Sequence, residues 1–305
     1  MNLCLWREDD MSETVSAAHP LRKYLREDRL PTVFCPGCGN GIVLNCTLRA
    51  IDELGMSMDD VVFVSGIGCS GRIPGYIDAD SLHTTHGRAI AFATGIKLFN
   101  PDLEVIVFTG DGDSGAIGIS HLVHAARRNL DINVIGVNNL VYALTGSQTS
   151  PTTPVGAYTY TSPYGSIEGF FDLCELVTSA GASYVARWST VQPQKVTGSI
   201  IKGIQRRGFS YIEVISQCPT QFGRKNEMAD PKQLMDWFKE RTIKLERAKR
   251  LPPRKIAGRL VLGEFVDRER PELTNEYRKL IEGVQRGTVK LKKPQLDWLE
   301  LSFRE

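Results

Sequence analysis

The sequence predicts an α/β fold: a doubly wound, mostly parallel sheet with helices on both faces. Two observations carry that prediction. Four apolar, β-branched runs have the length of strands, and helical patterns fill the spans between them. Continuous apolar strands alternating with amphipathic helices describe a parallel sheet buried on both sides. A third observation places the chemistry: each run ends in glycine, asparagine or cysteine. Sheets of this kind bind ligands in the loops beyond the carboxyl ends of their strands.

A helical pattern over Gly41–Leu54 precedes the first strand run, Val61–Gly68. Arg88–Phe99 is the next helix and Leu103–Gly110 the next strand. In the helix Ile119–Asn129, residues Ile119, Leu122, Val123 and Ala126 follow the i, i+3, i+4, i+7 stripe of a buried face. Strand Ile132–Asn139 follows, and then residues 140–168, rich in Thr, Ser, Pro, Gly and Tyr and without a period. A loop this long in a compact domain is usually functional or mobile. Helix Thr190–Arg207 and strand Tyr211–Cys218 complete the pattern. After Phe222 it changes to charged helices over Pro231–Arg250, a Pro-Pro break at 252–253 and Pro271–Val284. The expected divisions are an N-terminal extension (1–30), an α/β domain (31–225) and a helical, basic C-terminal extension (226–305) that is an appendix, not a second sheet.

With 42% hydrophobic and 24% charged residues the chain is globular, which excludes a disordered, collagen-like or small disulfide-scaffold protein. No apolar run approaches the roughly 20 residues of a membrane span, and the acidic start (Glu8, Asp9, Asp10, Glu13) lacks the apolar core of a secretory signal. A cytoplasmic protein with no membrane contact is expected. Residues 224–305 hold 21 Lys/Arg against 14 Asp/Glu, so the body carries the opposite imbalance. Such a tail could touch nucleic acid or lie across an acidic partner subunit. Its large apolar anchors (Trp237, Phe238, Phe265, Tyr277, Trp298, Phe303) favour the partner subunit.

Seven cysteines in such a chain argue for metal or redox chemistry before disulfides. Cys35-Pro-Gly-Cys38 is a C-x-x-C knuckle, Cys69 follows a strand in a glycine-rich turn, and Cys218 closes the last strand run. Four thiolates could hold zinc or an iron–sulfur cluster; plain buried thiols are the third possibility. Cys4, Cys46 and Cys174 lack such surroundings, and Cys46 and Cys174 suit small core positions.

Strand Leu103–Thr109 runs into Gly110-Asp111-Gly112-Asp113, and the next ends in Asn138-Asn139-Leu140-Val141, with Asn139 placed 28 residues after Asp111. A carboxylate, an amide oxygen and a backbone carbonyl are hard ligands suited to Mg²⁺, whose shell a diphosphate would complete. The pattern differs from both the dinucleotide fingerprint and the phosphate loop. It matches the signature of thiamine diphosphate enzymes.

The sequence resembles the β subunits of the 2-oxoacid:ferredoxin oxidoreductases, specifically the two-subunit 2-oxoglutarate type. The motifs that carry the resemblance are Cys35-Pro-Gly-Cys-Gly-Asn, Gly66-Ile-Gly-Cys-Ser-Gly-Arg-Ile-Pro-Gly, His83-Thr-Thr-His-Gly-Arg-Ala, Gly110-Asp-Gly-Asp, Val137-Asn-Asn-Leu-Val-Tyr and Leu144-Thr-Gly-Ser-Gln-Thr-Ser-Pro-Thr. They stand in family order over residues 31–225. The tail contributes Gly263-Glu-Phe-Val-Asp-Arg-Glu-Arg-Pro.

By resemblance, the fold is the thiamine-diphosphate-binding (pyrophosphate) domain type, Cys35, Cys38, Cys69 and Cys218 ligate one [4Fe–4S] cluster, and Asp111, Asn139 and the Val141 carbonyl ligate Mg²⁺. Ile67, Gly68, Cys69, Ser70, His86, Gly110, Gly112 and Asp113 embrace thiamine diphosphate, and Leu144 supports it. His86 is expected to donate to diphosphate or substrate. Arg72 could pair with a second substrate carboxylate, its alternative being a surface or partner-held arginine. His83 is read as a capping or surface residue at helical spacing from His86, and His121 and His124 as the outer face of their helix.

The implied reaction is oxidative decarboxylation of a 2-oxoacid to acyl-CoA and CO₂, with electrons passed to ferredoxin and the carboxylating direction, carbon fixation, open in principle. The glutamate that activates thiamine has no candidate in this chain. The resemblance places it on an α subunit, so the isolated chain is expected to be inactive and to work in an α₂β₂ heterotetramer. Pyruvate or another 2-oxoacid is an alternative substrate. Where some relatives carry a lysine after Thr145, this chain has Gly146. A non-oxidative thiamine decarboxylase and a zinc-stabilised nucleic-acid-binding protein are the rival readings.

Overall fold

A computed structural model describes residues 19–290. Cys4, Trp298 and Phe303 lie outside the described residues. The strands are β1 (Val61–Ser65), β2 (Asp80–His83), β3 (Glu104–Gly110), β4 (Asn133–Asn138), β5 (Val141–Tyr142), β6 (Gln148–Thr149), β7 (Tyr184–Ser189), β8 (Ser210–Ile215), β9 (Thr242–Lys244) and β10 (Leu260–Asp267). Eight of them form one sheet in the order β2-β1-β3-β4-β8-β7-β10-β9, and β5 and β6 form a separate ribbon. All neighbours in the large sheet run parallel except β7 and β10.

The central strands β1, β3 and β4 are mostly apolar because both faces of the sheet are covered there. Ile106 and Phe108 of β3 point into one core layer with Val43, Ile51 and Ile200, from the helices Asn40–Leu54 and Pro193–Gln205. Val105 and Val107 point into the other, with Ala93, Leu122 and Val177 from the helices Ala89–Phe99, Ile119–Arg128 and Leu173–Ala180. The Ile119–Arg128 helix stops at Asn129, whose left-handed backbone (φ 51°) turns the chain toward β4. Cys46 and Cys174 are buried as expected of core thiols.

Two expectations need correction. Residues 226–305 were expected to be a helical appendix, yet β9 and β10 extend the main sheet. Strand β10 pairs antiparallel with β7, covering what would otherwise be an open edge. The apolar anchors Phe238 and Phe265 pack on this chain's own core, leaving Tyr277 exposed. His83 and His86 do not share a helix: His83 ends β2, where its Nδ1 lies 2.9 Å from Ser65 Oγ, and His86 sits in the following turn.

At the amino end of the sheet, Glu104 is held among Lys97, Asp131 and Asn133, whose amide donates to it at 2.5 Å. Burial pushes its carboxyl up to about 7. The unfolded carboxyl titrates near its ordinary 4.5, so folding binds a proton between these values. Stability is therefore full below pH 4.5 and is lost as pH rises through about 7. Glu104→Gln should remove this dependence, gaining up to about 3 kcal/mol on the wild type between pH 5 and pH 8. Denaturant midpoints of both proteins at the two pH values measure it.

Candidate functional site

Parallel strands send their carboxyl ends to one edge of the sheet, and the glycine-rich and cysteine-bearing loops gather there. The chain leaves β1 for β2 on one side and returns to β3 on the other, which opens a crevice between the loops after β1 and β3. A cavity of about 140 Å³ fills it, lined by Ile67–Ser70, His86, Gly110–Asp113, Asn139 and Val141–Thr145.

Asp111 lies in the wall, 4% exposed. Ser150 Oγ donates to its Oδ2 at 2.6 Å and Thr152 Oγ1 at 2.7 Å. Burial pushes the Asp111 carboxyl up to about 6, against the pull of those hydroxyls and of nearby backbone amides. A buried carboxylate supplied with donors, in a cavity that also holds the Asn139 amide, is a ready half-shell for a hard cation. Asn139 and Val141 are brought there by a turn in which Leu140 takes a left-handed φ of 69°. The Val141 N–H donates to Asn139 Oδ1 at 3.4 Å.

Asp113 has a different part. Its Oδ1 meets His86 Nδ1 at 2.5 Å and accepts from Gly87 N–H at 2.5 Å, and its Oδ2 accepts from Thr109 Oγ1 at 3.0 Å. It thus pins the His86 turn to the end of β3. A Cβ on Gly66 would lie 1.8 Å from the same carboxylate, so only glycine lets the β1 loop pass. With Nδ1–H given to Asp113, a neutral His86 presents Nε2 to the cavity as an acceptor; donating to a ligand requires the doubly protonated ring. Gly112 lets Tyr142 close on the loop, since a Cβ there would lie 2.1 Å from the ring.

A second cavity, about 620 Å³, abuts the first. Cys35, Cys38, Cys69 and Cys218 all line it, and all are free thiols. The knuckle turns through Gly37 (φ 75°), against which Pro231 of the tail packs, and Gly39 N–H donates to Gln217 O at 3.1 Å, tying it to the end of β8. Burial first, then neighbouring cysteines, pushes the Cys69 thiol up to about 12 and Cys38 up to about 11. Such thiols need a cationic centre to become thiolates. The Asn40 amide approaches Cys38, and those of Gln221 and Phe222 approach Cys218, as sulfur ligands of an anionic cluster require. Among the described residues no carboxylate or imidazole lines this cavity, while Arg29 and Arg72 do. No three His, Cys, Asp or Glu side chains among the described residues form a group able to hold a single ion; the thiols surround a space.

Comparison with known proteins gives the chain a family. Residues 66–214 match the thiamine pyrophosphate enzyme, C-terminal TPP binding domain. A 2-oxoglutarate synthase subunit KorB of Methanocaldococcus jannaschii is 56% identical over 264 residues, which is 87% of this chain and 98% of the relative. The chain belongs to the 2-oxoacid:ferredoxin oxidoreductase β subunits. A 2-oxoacid:ferredoxin oxidoreductase subunit beta of Saccharolobus solfataricus is 47% identical over 61% of this β subunit and 62% of the relative. A solved 2-oxoglutarate:ferredoxin oxidoreductase from Magnetococcus marinus, with 2-oxoglutarate, coenzyme A and succinyl-CoA bound, superposes with a TM-score of 0.77 at 30% identity, covering 94% of this chain and 97% of that one.

The sequence-predicted residues of this β subunit thus fall into two adjoining groups, with Cys69, Asn139 and Leu144 lining both cavities. Arg72, which follows Cys69, lines the cysteine cavity and not the Asp111 cavity. Gly146 takes a left-handed φ of 112°. Tyr142, Ser150 and Thr152 join the site without a role that sequence motifs assign. The signal for the two hydroxyls is Ser and Thr density in a loop 39 and 41 residues beyond Asp111.

Proposed function

We propose that this chain is the β subunit of a 2-oxoglutarate:ferredoxin oxidoreductase, carrying thiamine diphosphate with Mg²⁺ in the smaller cavity and one [4Fe–4S] cluster in the larger. The observation that carries the reading is the shared wall: Cys69, Asn139, Ala143 and Leu144 border both cavities, so carbon chemistry and an electron acceptor would lie side by side. A non-oxidative thiamine enzyme has no use for the second cavity, and a zinc-stabilised nucleic-acid binder none for the first.

Bound thiamine diphosphate supplies an electron sink for cleaving the bond to the carboxylate, and an iron–sulfur cluster accepts electrons singly. The residues of this chain bind and orient. Asp111, Asn139 and the Val141 carbonyl would hold Mg²⁺, and the loop from Gly110 to Asp113 would face the diphosphate. At about 140 Å³ the cavity suits that end of the coenzyme; the remainder would pass half-exposed Ile67 and Leu144. His86 Nε2, fixed by Asp113, is placed to exchange a proton with a ligand. The arginines beside the thiols offset the charge of an anionic cluster, and Arg72 is better suited to that task than to a substrate carboxylate.

The coenzyme's activating glutamate, and with it activity, would come from an α subunit in an α₂β₂ assembly. Two exposed apolar groups support a partner: Tyr277, Leu280, Ile281 and Val284 along one helix, and Tyr164 and Ile167 in the loop that follows Thr152. Residues 31–225 would then be the cofactor domain and the tail the part nearest the partner. Ferredoxin as acceptor, coenzyme A as acyl acceptor and a cytoplasmic location complete the reading. Among the described residues no helix is long and apolar enough to cross a membrane.

Anaerobic purification with the partner subunit tests it. The expected result is about four irons and four sulfides per chain, and dye or ferredoxin reduction that requires both 2-oxoglutarate and coenzyme A, with no turnover by the isolated chain. Zinc without sulfide, or decarboxylation with no electron output, would overturn it; faster reduction with pyruvate would move the substrate assignment alone.

A further inference from the structure

A buried polar chain crosses the centre of the sheet behind the cation site. Arg187 of β7 and Glu213 of β8 are paired in register and are 7% and 1% exposed. Arg187 Nε donates to Glu213 Oε2. The guanidinium also donates to Asp172 at 3.0 and 2.5 Å, while Asp172 caps the Leu173–Ala180 helix by accepting from Glu175 N–H at 2.9 Å. Cys174 Sγ adds a third donor to Glu213 at 3.4 Å. On the site side, Asn138 Nδ2 donates to Glu213 Oε1 at 2.8 Å. Asn138 Oδ1 then accepts from Leu140 N–H at 3.1 Å and from Thr152 Oγ1 at 2.9 Å. Thr152 has one hydroxyl proton, which Asn138 Oδ1 shares with Asp111 Oδ2, 2.7 Å from the same hydroxyl oxygen.

The polarity of this chain is set at its far end. A guanidinium only donates and a carboxylate only accepts, so Glu213 compels Asn138 to turn its NH₂ inward and its oxygen toward Leu140 and Thr152. Reversed, the amide would set a donor against the Leu140 N–H and loosen the turn that carries Asn139 and Val141. A mid-sheet ion pair is weak evidence for stability, because desolvation offsets its attraction; holding one amide orientation is a better account of it.

We propose that Glu213 and Arg187 are positioning residues for the cation–diphosphate site, acting through Asn138 and Thr152 on Asp111 and on the Asn138–Val141 turn. The proposal rests on the reading of Asp111 and Asn139 as cation ligands. Neither residue lines the smaller cavity.

The test uses the full chain with its partner subunit, freed of thiamine diphosphate and divalent ions. Titration calorimetry reads the affinity for thiamine diphosphate with Mg²⁺, and Mn²⁺ resonance spectra read the cation shell. Glu213→Gln puts a donor where two acceptors are needed, and should weaken affinity about tenfold, the usual cost of losing a ligand's supporting bond. Turnover at saturating cofactor should stay within about threefold. Arg187→Met combined with Glu213→Met replaces the pair by apolar side chains, an exchange that folds often tolerate, and should weaken affinity to the same degree. Thr152→Val should do likewise and Thr152→Ser restore it. Glu213→Gln placed on Thr152→Val should add less than in the wild type.

Wild-type affinity in both Glu213→Gln and the double Met variant, with Asp111→Asn defective, overturns the relay and leaves the site reading intact. Wild-type affinity in Asp111→Asn overturns the site reading itself. Additive losses in Glu213→Gln and Thr152→Val overturn the coupling.

Discussion

Asp111→Ala should leave a complex that folds and keeps its iron, yet turns over 2-oxoglutarate on the order of 10³-fold more slowly, because a divalent cation's contribution of several kcal/mol is lost with its anionic ligand. The carboxylate is the only ionised group among the three proposed ligands, and Asn139 and a carbonyl alone would hold Mg²⁺ weakly. Its environment is prepared for the ion. Two hydroxyls converge on Oδ2, at 2.6 and 2.7 Å, while burial raises its carboxyl to about 6. Without a cation that burial opposes ionisation. The same group should therefore release its proton as the cation binds, and cofactor affinity should fall as pH drops below about 6. Calorimetry in buffers of different ionisation heat would register the proton released. Removing the side chain should remove the Asp111 share of the release and of the pH dependence, leaving only that of the diphosphate itself, while the unfolding midpoint of the cofactor-free chain changes little or rises. A variant that bound thiamine diphosphate with Mg²⁺ as tightly as the wild type would remove Asp111 from the site.

What could be read in advance follows from how local each signal is. Strands β1, β3, β4 and β8 stand out because burial on both faces makes them continuously apolar. Strand β7 was hidden by Arg187, a charge in the middle of Tyr184–Ser189 whose partners, Asp172 and Glu213, lie in other elements. Strand β2 is exposed along its whole length, so burial wrote no pattern into it. Strand β10 carries Gly263 at its centre and pairs antiparallel with β7, far away in sequence, so tertiary pairing rather than composition decides its conformation. The site divides in the same way. The residues proposed to face a ligand sit in short motifs at strand ends, where a local sequence pattern marks them. Those that hold them, Thr152 and Ser150 on Asp111, Asp113 on His86, Glu213 on Asn138, act across 27 to 75 residues of sequence. Asp113 lines the smaller cavity with the residues of its motif and, across 27 residues, also holds His86. Arg72, which sequence offers for a second substrate carboxylate, lies on the helical turn Ser70–Tyr76 and lines the thiol cavity.

Cys218→Ala should separate the two halves of the proposed chemistry. The thiol is 7% exposed and packs with Leu140, Val141, Phe222 and Leu234, so alanine removes one sulfur from a wall that the neighbouring apolar residues can keep. Burial raises this thiol while amides of Gln221 and Phe222 pull it down, an arrangement that favours sulfur as an anion once a cluster is present. The expected protein binds thiamine diphosphate with Mg²⁺ nearly as well as the wild type, lacks the broad visible absorbance of an iron–sulfur centre, and reduces ferredoxin on the order of 10³-fold more slowly, a barrier increase of about 4 kcal/mol. Cys46→Ala is the control. Cys46 is also buried, but its sulfur faces Pro193 O at 3.5 Å inside a helix–helix contact, so its loss should cost stability and no iron. If both variants kept iron and ferredoxin reduction, the four-thiol assignment would fail. If both lost iron equally, the loss would reflect folding and not ligation. Loss confined to Cys218→Ala, with cofactor binding retained, would tie electron transfer to the larger cavity and separate this chain from the non-oxidative thiamine enzymes, which need only the smaller one.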